Sequence, residues 1–479
     1  MTIQPAPTNN RFAFISVTAL FFMWGFITCM NDLLIPKFKA DFALNQFQAN
    51  FVQFAFFGAY FLVSLVYFLI SAAKGDPINR IGYKNGLVLG LVVAGIGCLL
   101  FYPAAETKLY PLFLGALIVL GAGVTIIQIA ANPYVTILGP EETAPSRLNL
   151  SQGLNSLGYV IAPLIGGILL FGSNVYGSGG GVASVKAPYV GLGIAFFALA
   201  IAFKCIALPG FTQQGKVEAG VKAFRHKHFV WGWLAIFFYV GSEVTVGSIL
   251  INYLADKDVM GLSENSSAHY LSFYWGGTMI GRLMGAISLS GIRDSKKAGF
   301  MVLAAIGATA VIFANATFKE HLTNGHYINP KDIIPYLGLV ALSFVFFSLG
   351  RSNPGRMVGL FAVVAAALTA FSMGTKGEFA LWSIIGIGLF NSIMWSNIFS
   401  LSIRGLGKDK SQGSSLLVMM IVGGAIMPLI QGALMDSVGV RLSLGIVLVG
   451  YLYLMFFGFF GARADETAED AAGPVTGGH

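Results

Sequence analysis

The sequence predicts an all-α, polytopic membrane protein, and three observations carry that prediction. Of its 479 residues, 56% are hydrophobic and only 10% charged, whereas a soluble domain carries about 25% charged residues. So few charges cannot cover a water-facing surface, and lipid as the solvent removes the difficulty. The apolar residues are gathered into long runs, and about 20 such residues are what a helix needs to cross a bilayer. The basic residues gather in the short stretches between runs, as they do on the cytoplasmic side of membrane proteins.

The spans follow in order. Apolar runs occupy residues 14–36, 51–73, 86–102, 110–138, 148–171 and 188–208. A polar stretch at 209–227 separates them from runs at 228–254, 270–290, 298–318, 333–349, 357–373, 379–401, 411–435 and 442–460. The prediction is therefore six helices, a linker and eight helices, about 14 transmembrane helices in all. The first run is too long for the core of a signal peptide, and no small-residue cleavage site follows it, so it stays as the first span. With the N-terminus in the cytoplasm, 20 of the 29 Lys and Arg fall inside, Arg282 among them. An even span count also brings the acidic tail inside, so both termini are cytoplasmic. A net charge of +8 distributed in this way marks membrane orientation and not a nucleic-acid partner. The 60 glycines suit close packing of helices in lipid. Cys29, Cys98 and Cys205 lie in apolar runs without metal-ligand spacing, which reads as small packing residues. No metal and no cofactor are expected.

The two parts of the chain repeat each other. Phe21-Phe22-x-x-Gly25 recurs as Phe237-Phe238-x-x-Gly241, an offset of 216. Asn132 recurs as Asn397, and Pro163-Leu-Ile-Gly-Gly167 as Pro428-Leu-Ile-Gln-Gly432, both at an offset of 265. The second part has thus gained about 49 residues, roughly two spans and a loop, which places an insertion near 298–350. The alternative is chance similarity between apolar segments. The domains read as 1–208, a six-helix bundle; 209–227, a cytoplasmic linker; 228–461, a second bundle with the insertion; and 462–479, a cytoplasmic tail.

Ionisable side chains inside a membrane helix cost at least about 2.5 kcal/mol on insertion scales and mark function. Asp32 and Glu243 lie within apolar runs on the first and seventh spans. Both are candidates for binding a coupling cation, against the alternative of simple solvation near the interface. Amides cluster as well. Gln128 and Asn132 are four residues apart on the fourth span, so they share a face, and Pro133 follows and permits a kink. Gln152 and Asn155 lie three apart on the fifth span, and Asn391 and Asn397 occupy the repeat of the fourth. Amides offer donors and acceptors together, as sugar hydroxyls require; interhelical hydrogen bonding is the alternative. Trp24, Tyr239, Trp275 and Trp395 are candidates to stack on a sugar, although packing explains any one of them.

The run Gln128-Ile-Ala-Ala-Asn-Pro-Tyr-Val-Thr-Ile-Leu-Gly-Pro140 with Arg147-Leu-Asn-Leu-Ser-Gln-Gly-Leu-Asn-Ser156 resembles the fucose–galactose–glucose–cation symporter family of the major facilitator superfamily. The stretches Asn31-Asp32-Leu-Leu-Ile-Pro36, Asn391-Ser-Ile-Met-Trp-Ser-Asn-Ile-Phe399 and Gly413-Ser-Ser415 are similar to the same family. The resemblance covers most of the chain apart from the termini and the insertion. It implies two six-helix bundles, here with two added helices in the second. It also implies a helix-1 aspartate and a helix-4 glutamate that carry coupling and sugar recognition. Asp32 matches the aspartate, while Gln128 stands where the glutamate would be and cannot exchange a proton. Gln152 and Asn155 match sugar-contacting amides, and the pattern resembles the glucose/galactose branch. The loop Asn79-Arg80-Ile-Gly82-Tyr-Lys84 resembles the superfamily's gating motif between helices 2 and 3, with Asn in place of Asp.

The expected function is uptake of a hexose of glucose or galactose type by cation symport, alternating between two bundles. The proton is favoured over sodium. Sodium-coupled transport of the same sugar, or of mannose, fucose or N-acetylglucosamine, is the alternative. The expected site comprises Asp32 and Glu243 for the cation, and Asn31, Gln128, Asn132, Gln152, Asn155, Asn391, Asn397 and Trp395 for the sugar. An enzyme is not expected: the six histidines lie in loops, near helix ends or at the terminus, and no nucleophile–base pair or phosphate-binding loop is present. A channel would lack binding amides grouped in one half. The partners are a sugar and membrane lipid, with no nucleic acid. The expected form is a monomer in the bacterial inner membrane.

Overall fold

The computed structural model describes residues 10–44, 48, 51–171, 181–206, 208–209, 223–262, 264–325 and 327–463. The N-terminal residues 1–9, most of the linker (210–222) and the tail beyond 463 lie outside the described residues, as do the side chains of Pro163, Leu164 and Gly167 in the repeated motif. The expectation about the termini therefore lies outside them too.

The first half contains α1 (Asn10–Asp41), α2 (Phe51–Lys74), α3 (Tyr83–Leu99, continued by Phe101–Thr107), α4 (Tyr110–Ile137), α5 (Ala144–Phe171) and α6 (Lys186–Cys205). The second contains α7 (Lys227–Ala255), α8 (Glu264–Ser288), α9 (Asp294–Asn324), α10 (Ile334–Gly350) and α11 (Pro354–Gly374). It continues with α12 (Glu378–Asn391), α13 (Met394–Ile403), α14 (Lys410–Met419), α15 (Gly423–Ser443) and α16 (Gly445–Phe456), the last passing into a π-helical turn at Phe457–Gly461. The helices α12 and α13 form one span broken at Ser392–Ile393, and α14 and α15 another joined by a 3-10 turn.

Among the described residues, ten helices are long and apolar enough to cross a membrane, and Ile334–Gly350 and Gly445–Gly461 are shorter apolar helices. The helices α5 and α8, at 28 and 25 residues, have membrane length but carry more polar side chains. Asn149, Gln152, Asn155, Thr278 and Arg282 of these two helices are buried, while large apolar side chains such as Leu62, Ile201, Leu303, Ile306 and Leu429 stand exposed on the outside. In water such a surface would aggregate; in lipid it matches the solvent. Buried hydroxyls are satisfied within their own helices, as Thr125 donates to Gly121 O and Thr369 to Ala365 O, each at 2.7 Å. That local bond replaces the water a bilayer cannot supply.

The repeat reappears as a repeat of packing. In the first half α1 packs on α5, α3 on α4 and α6, and α2 on α4. In the second, α7 packs on α15, α11 on α12 and α16, and α8 on α12. Gly158 of α5 lies so close to Phe22 O of α1 that a Cβ would not fit, and Gly423 meets Phe237 O of α7 in the same way. These glycines are 265 residues apart, the repeat offset, and each permits a close helix approach. Outside this scheme remain α9, packed on α8, and α10, packed on α11, α12 and α8.

Hydrogen bonds between the halves fall at one end and in the middle of the molecule. At the end that carries the linker, Tyr83 Oη meets Ser411 Oγ at 3.0 Å and Gln412 Nε2 donates to Ser71 Oγ at 3.1 Å. Ser146 Oγ donates to Ala286 O at 2.5 Å, Asn149 Nδ2 donates to Asn397 Oδ1 at 3.1 Å, and Lys410 approaches Glu141 at 4.0 Å.

Candidate functional site: a polar cavity between the halves

A cavity of about 110 Å³ lies where the halves meet at mid-span. About 10–15 Å³ of such space holds one water, so a small polyhydroxylated solute could displace several waters here. The first half contributes Trp24 and Thr28 of α1, Tyr60 of α2, Gln128 of α4, and Gln152, Asn155, Ser156 and Tyr159 of α5. The second contributes Tyr239 and Glu243 of α7, Trp275, Thr278 and Arg282 of α8, and Trp395 of α13.

The cavity has a floor and a roof, both spanning the halves. Toward the linker end, Arg282 donates from Nη1 to Ser156 Oγ at 2.5 Å and to Gln152 O at 3.4 Å. Its Nε donates to Ser392 O at 3.2 Å, at the break between α12 and α13 where that carbonyl is free. Its Nη2 lies 3.8 Å from Glu243 Oε1, and both residues are buried. Toward the other end, Tyr159 stacks on Trp275 with ring centroids 5.7 Å apart. Between them the walls hold Gln128 Oε1 and Trp395 Nε1, buried without hydrogen-bond partners, and Tyr239 beside the Glu243–Arg282 pair.

Of the ten predicted site residues, Gln128, Gln152, Asn155, Glu243 and Trp395 line this cavity. Asn155 also donates from Nδ2 to Phe21 O at 3.1 Å, tying α5 to α1. Asn391 donates to Tyr274 Oη at 3.2 Å, and Asn397 accepts from Asn149, so these two amides are occupied in helix packing away from the cavity. Asn31 and Asn132 are buried behind it, with neither side-chain atom paired. Asp32 lies one helical turn beyond Thr28, away from the linker end. It is exposed and accepts a hydrogen bond from Gln53 Nε2 at 2.6 Å. Gln53 is likewise one turn from Phe57, which lines the cavity, so the Asp32–Gln53 pair stands about 5 Å along the axis from it. All four predicted aromatics, Trp24, Tyr239, Trp275 and Trp395, reach the cavity.

One reading of the sequence is corrected. Arg282, counted among the cations of the cytoplasmic side, is buried at the cavity floor as the ion-pair partner of Glu243. The available signal was a lone arginine inside the apolar run 270–290, the same signal that marked Asp32 and Glu243. Tyr60, Tyr159, Ser156 and Thr278 were also missed, because isolated hydroxyls in apolar runs carry no distinguishing pattern.

The distinctive 128–147 stretch has a structural use as well. Pro133 sits inside α4 without ending it. Arg147 then caps the helix, donating to Val135 O at 3.0 Å, Thr136 O at 2.5 Å and Pro140 O at 2.9 Å. A guanidinium at a helix C-terminus satisfies free carbonyls and complements the dipole. In the loop after α2, Asp76 caps the short helix Pro77–Ile81 through Asn79 N at 3.1 Å and accepts from Tyr67 Oη at 2.7 Å. The loop's acidic residue therefore stands three positions before Asn79. Burial pushes the Asp76 carboxyl above the usual carboxylate range.

Two bundles with the same internal packing, enclosing a polar cavity at mid-membrane, define a carrier and not an enzyme. The sequence profile of the Major Facilitator Superfamily matches residues 12–352. The chain is 43% identical over 460 residues to a glucose/galactose transporter of Brucella abortus, covering 95% of each. The fold matches the crystal structure of the Escherichia coli fucose:proton symporter with a TM-score of 0.72 at 26% identity, over 95% of this chain and 100% of that one. A second crystal structure, of a superfamily transporter in the outward conformation, matches with a TM-score of 0.71 at 27% identity, over 94% of this chain and 98% of that one. The chain belongs to the major facilitator superfamily and, within it, to the fucose–galactose–glucose–cation symporter family.

Proposed function

We propose that this multi-pass transporter takes up a hexose of glucose or galactose type by cation symport, with the proton as coupling ion. The observation that carries the reading is the set of hydrogen-bonding side chains gathered around one buried cavity: Gln128, Gln152, Asn155, Tyr239 and Trp395. A neutral polyol satisfies donors and acceptors together, and leaving such groups unpaired in a binding site is what rejects solutes that lack hydroxyls. The relative named as a glucose/galactose transporter, alike over nearly the whole chain, supports the choice of sugar.

In this reading Gln128, Gln152, Asn155 and Trp395 hold the sugar, and the remaining amides Asn31, Asn132, Asn391 and Asn397 order the helices behind it. Asp32 takes up the proton at the rim. Glu243 is the second cation-coupling candidate, its charge balanced by Arg282. Sodium is the second reading for the ion, because Gln128 is neutral where the family pattern has a carboxylate, and Asp32 would then serve as an oxygen ligand.

The topology proposed is fourteen spans: two six-helix bundles, 1–208 and 228–461, joined by a cytoplasmic linker at 209–227. Two added helices near 298–350 face lipid, and a tail at 462–479 is cytoplasmic. In support, α9 and α10 stand outside the repeated packing scheme and contribute no residue to the cavity. The linker end is taken as cytoplasmic from the bias of Lys and Arg, with the monomer placed in a bacterial inner membrane. Bonds between the halves at that end then correspond to a state closed toward the cytoplasm. The test is uptake of labelled glucose, galactose, mannose and fucose into vesicles, with an imposed pH gradient and no sodium, and with a sodium gradient alone. Accumulation of glucose or galactose under the pH gradient is expected; failure of either gradient to drive either sugar would refute the reading.

A further inference from the structure

A second, larger cavity of about 680 Å³ opens at the linker end, again between the halves and well away from the sugar cavity. Four cations line it: Arg356 at the start of α11, Arg404 just after α13, Lys410 at the start of α14, and Arg463 after the last helix. Glu141 and Glu142 line the opposite side, and Glu141 approaches Lys410. Arg356, Arg404 and Arg463 have no ion-pair partner among the described residues. All three are exposed, and they line one concavity together.

Two further features point to an anionic ligand. Ser400 is 8% exposed, lines this cavity, and its Oγ has no hydrogen-bond partner. The N-terminus of α11, a 21-residue helix, opens at the same place, with Asn353, Pro354, Gly355 and Arg356 all on the wall. Pro354 has no N–H and Asn353 Oδ1 already accepts from Arg356 N at 2.9 Å, so this helix end adds its dipole to the charge of the nearby guanidinium groups.

We propose that this cavity is a binding site for a phosphate group, carried by a soluble phosphate monoester or by an anionic phospholipid headgroup. Arg356 and Arg404 hold the phosphate oxygens and Ser400 donates its hydroxyl. Because the walls come from both halves, the bound anion bridges them at the end already joined by Tyr83–Ser411 and Gln412–Ser71. It therefore holds that end closed and slows the carrier's turnover. Asp465, Glu466, Glu469 and Asp470 follow Arg463 on the same chain.

The test uses the full-length protein in nanodiscs of phosphatidylcholine, titrated with inorganic phosphate and with glycerol 3-phosphate, neither of which carries a sugar ring. The expected result is saturable binding that saturating hexose does not displace and that weakens at least tenfold in Arg404→Gln and in Arg356→Gln, with hexose binding unchanged in both. If the source is lipid, the soluble probes fail. Phosphatidylglycerol then co-purifies with the wild type from mixed vesicles and is depleted in the same two variants. Absence of both behaviours, or binding that neither variant weakens, overturns the proposal.

Discussion

The two walls of the mid-span cavity are built from repeat-equivalent helices, yet they carry different chemistry. The wall from the first half offers the neutral amides Gln128, Gln152 and Asn155. The wall from the second half carries a buried ion pair, Glu243 with Arg282, among Tyr239, Trp275 and Trp395. The carboxylates themselves are not repeat partners. At the offset of 216, Glu243 corresponds to Ile27, and Asp32 to Ser248. Duplication supplied the backbone and its glycine contacts, while the polar side chains were placed separately in each half. The first half therefore has a carboxylate at the rim, suited to exchange with solution, and the second has one at the floor neutralised by Arg282, whose guanidinium bonds the first half at Ser156 and Gln152.

The largest expected effect breaks the second wall. Glu243→Ala leaves Arg282 buried without its counter-charge, and removing one member of a buried pair costs about 3–5 kcal/mol. Thermal unfolding in detergent should fall sharply for Glu243→Ala and recover much of the loss in Glu243→Gln/Arg282→Met. Equal instability of the single and double variants would show that the pair does not act as a unit.

A smaller effect is expected from the first wall. Gln152→Ala should fold normally and lose about tenfold or more in hexose affinity, because an unmet hydrogen bond costs roughly 1–3 kcal/mol. Unchanged affinity in a folded variant would remove Gln152 from the site. Smaller still is the effect of Tyr83→Phe, which deletes one bond between the halves worth about 0.5–1.5 kcal/mol. Cysteine labelling of Leu148→Cys, a fully buried position of α5 at this end, from the linker side should speed up severalfold in that background. An unchanged rate would mean that Tyr83–Ser411 does not help to close this end.

The smallest effect is a pH slope. A carboxyl raised by burial, as Asp76 is, stabilises the folded loop below its unfolded pKa and loses that contribution as pH rises through its folded value. Asp76→Asn keeps a side-chain acceptor for Asn79 N without the titration. Its melting temperature should therefore fall less than that of the wild type between acid and neutral pH. Parallel profiles would contradict the assignment.

Much of this fold was legible in the sequence because lipid demands long apolar runs, and a repeat offset survives in a few fixed residues. Boundaries were less so: the run 270–290 belongs to a helix spanning Glu264–Ser288, since polar residues can extend a helix beyond the bilayer. Within the site, Gln128 and Gln152 were legible as amides in apolar surroundings. Asn391 and Asn397 had the same signature but serve helix packing, and sequence cannot separate the two uses. Arg282 was misread because cations near span ends normally report orientation, and only the packing of α8 on α5 and α7 reveals its depth.

The claim that matters most is that Asp32 couples the cation to sugar movement. It is tested most directly by comparing two assays on Asp32→Asn in sodium-free vesicles. Under an imposed pH gradient the variant should fail to accumulate hexose while the wild type succeeds. At equal sugar concentrations on both sides the variant should still exchange labelled for unlabelled hexose, because exchange needs no net cation movement. Gradient-driven accumulation that persists in Asp32→Asn would contradict the account.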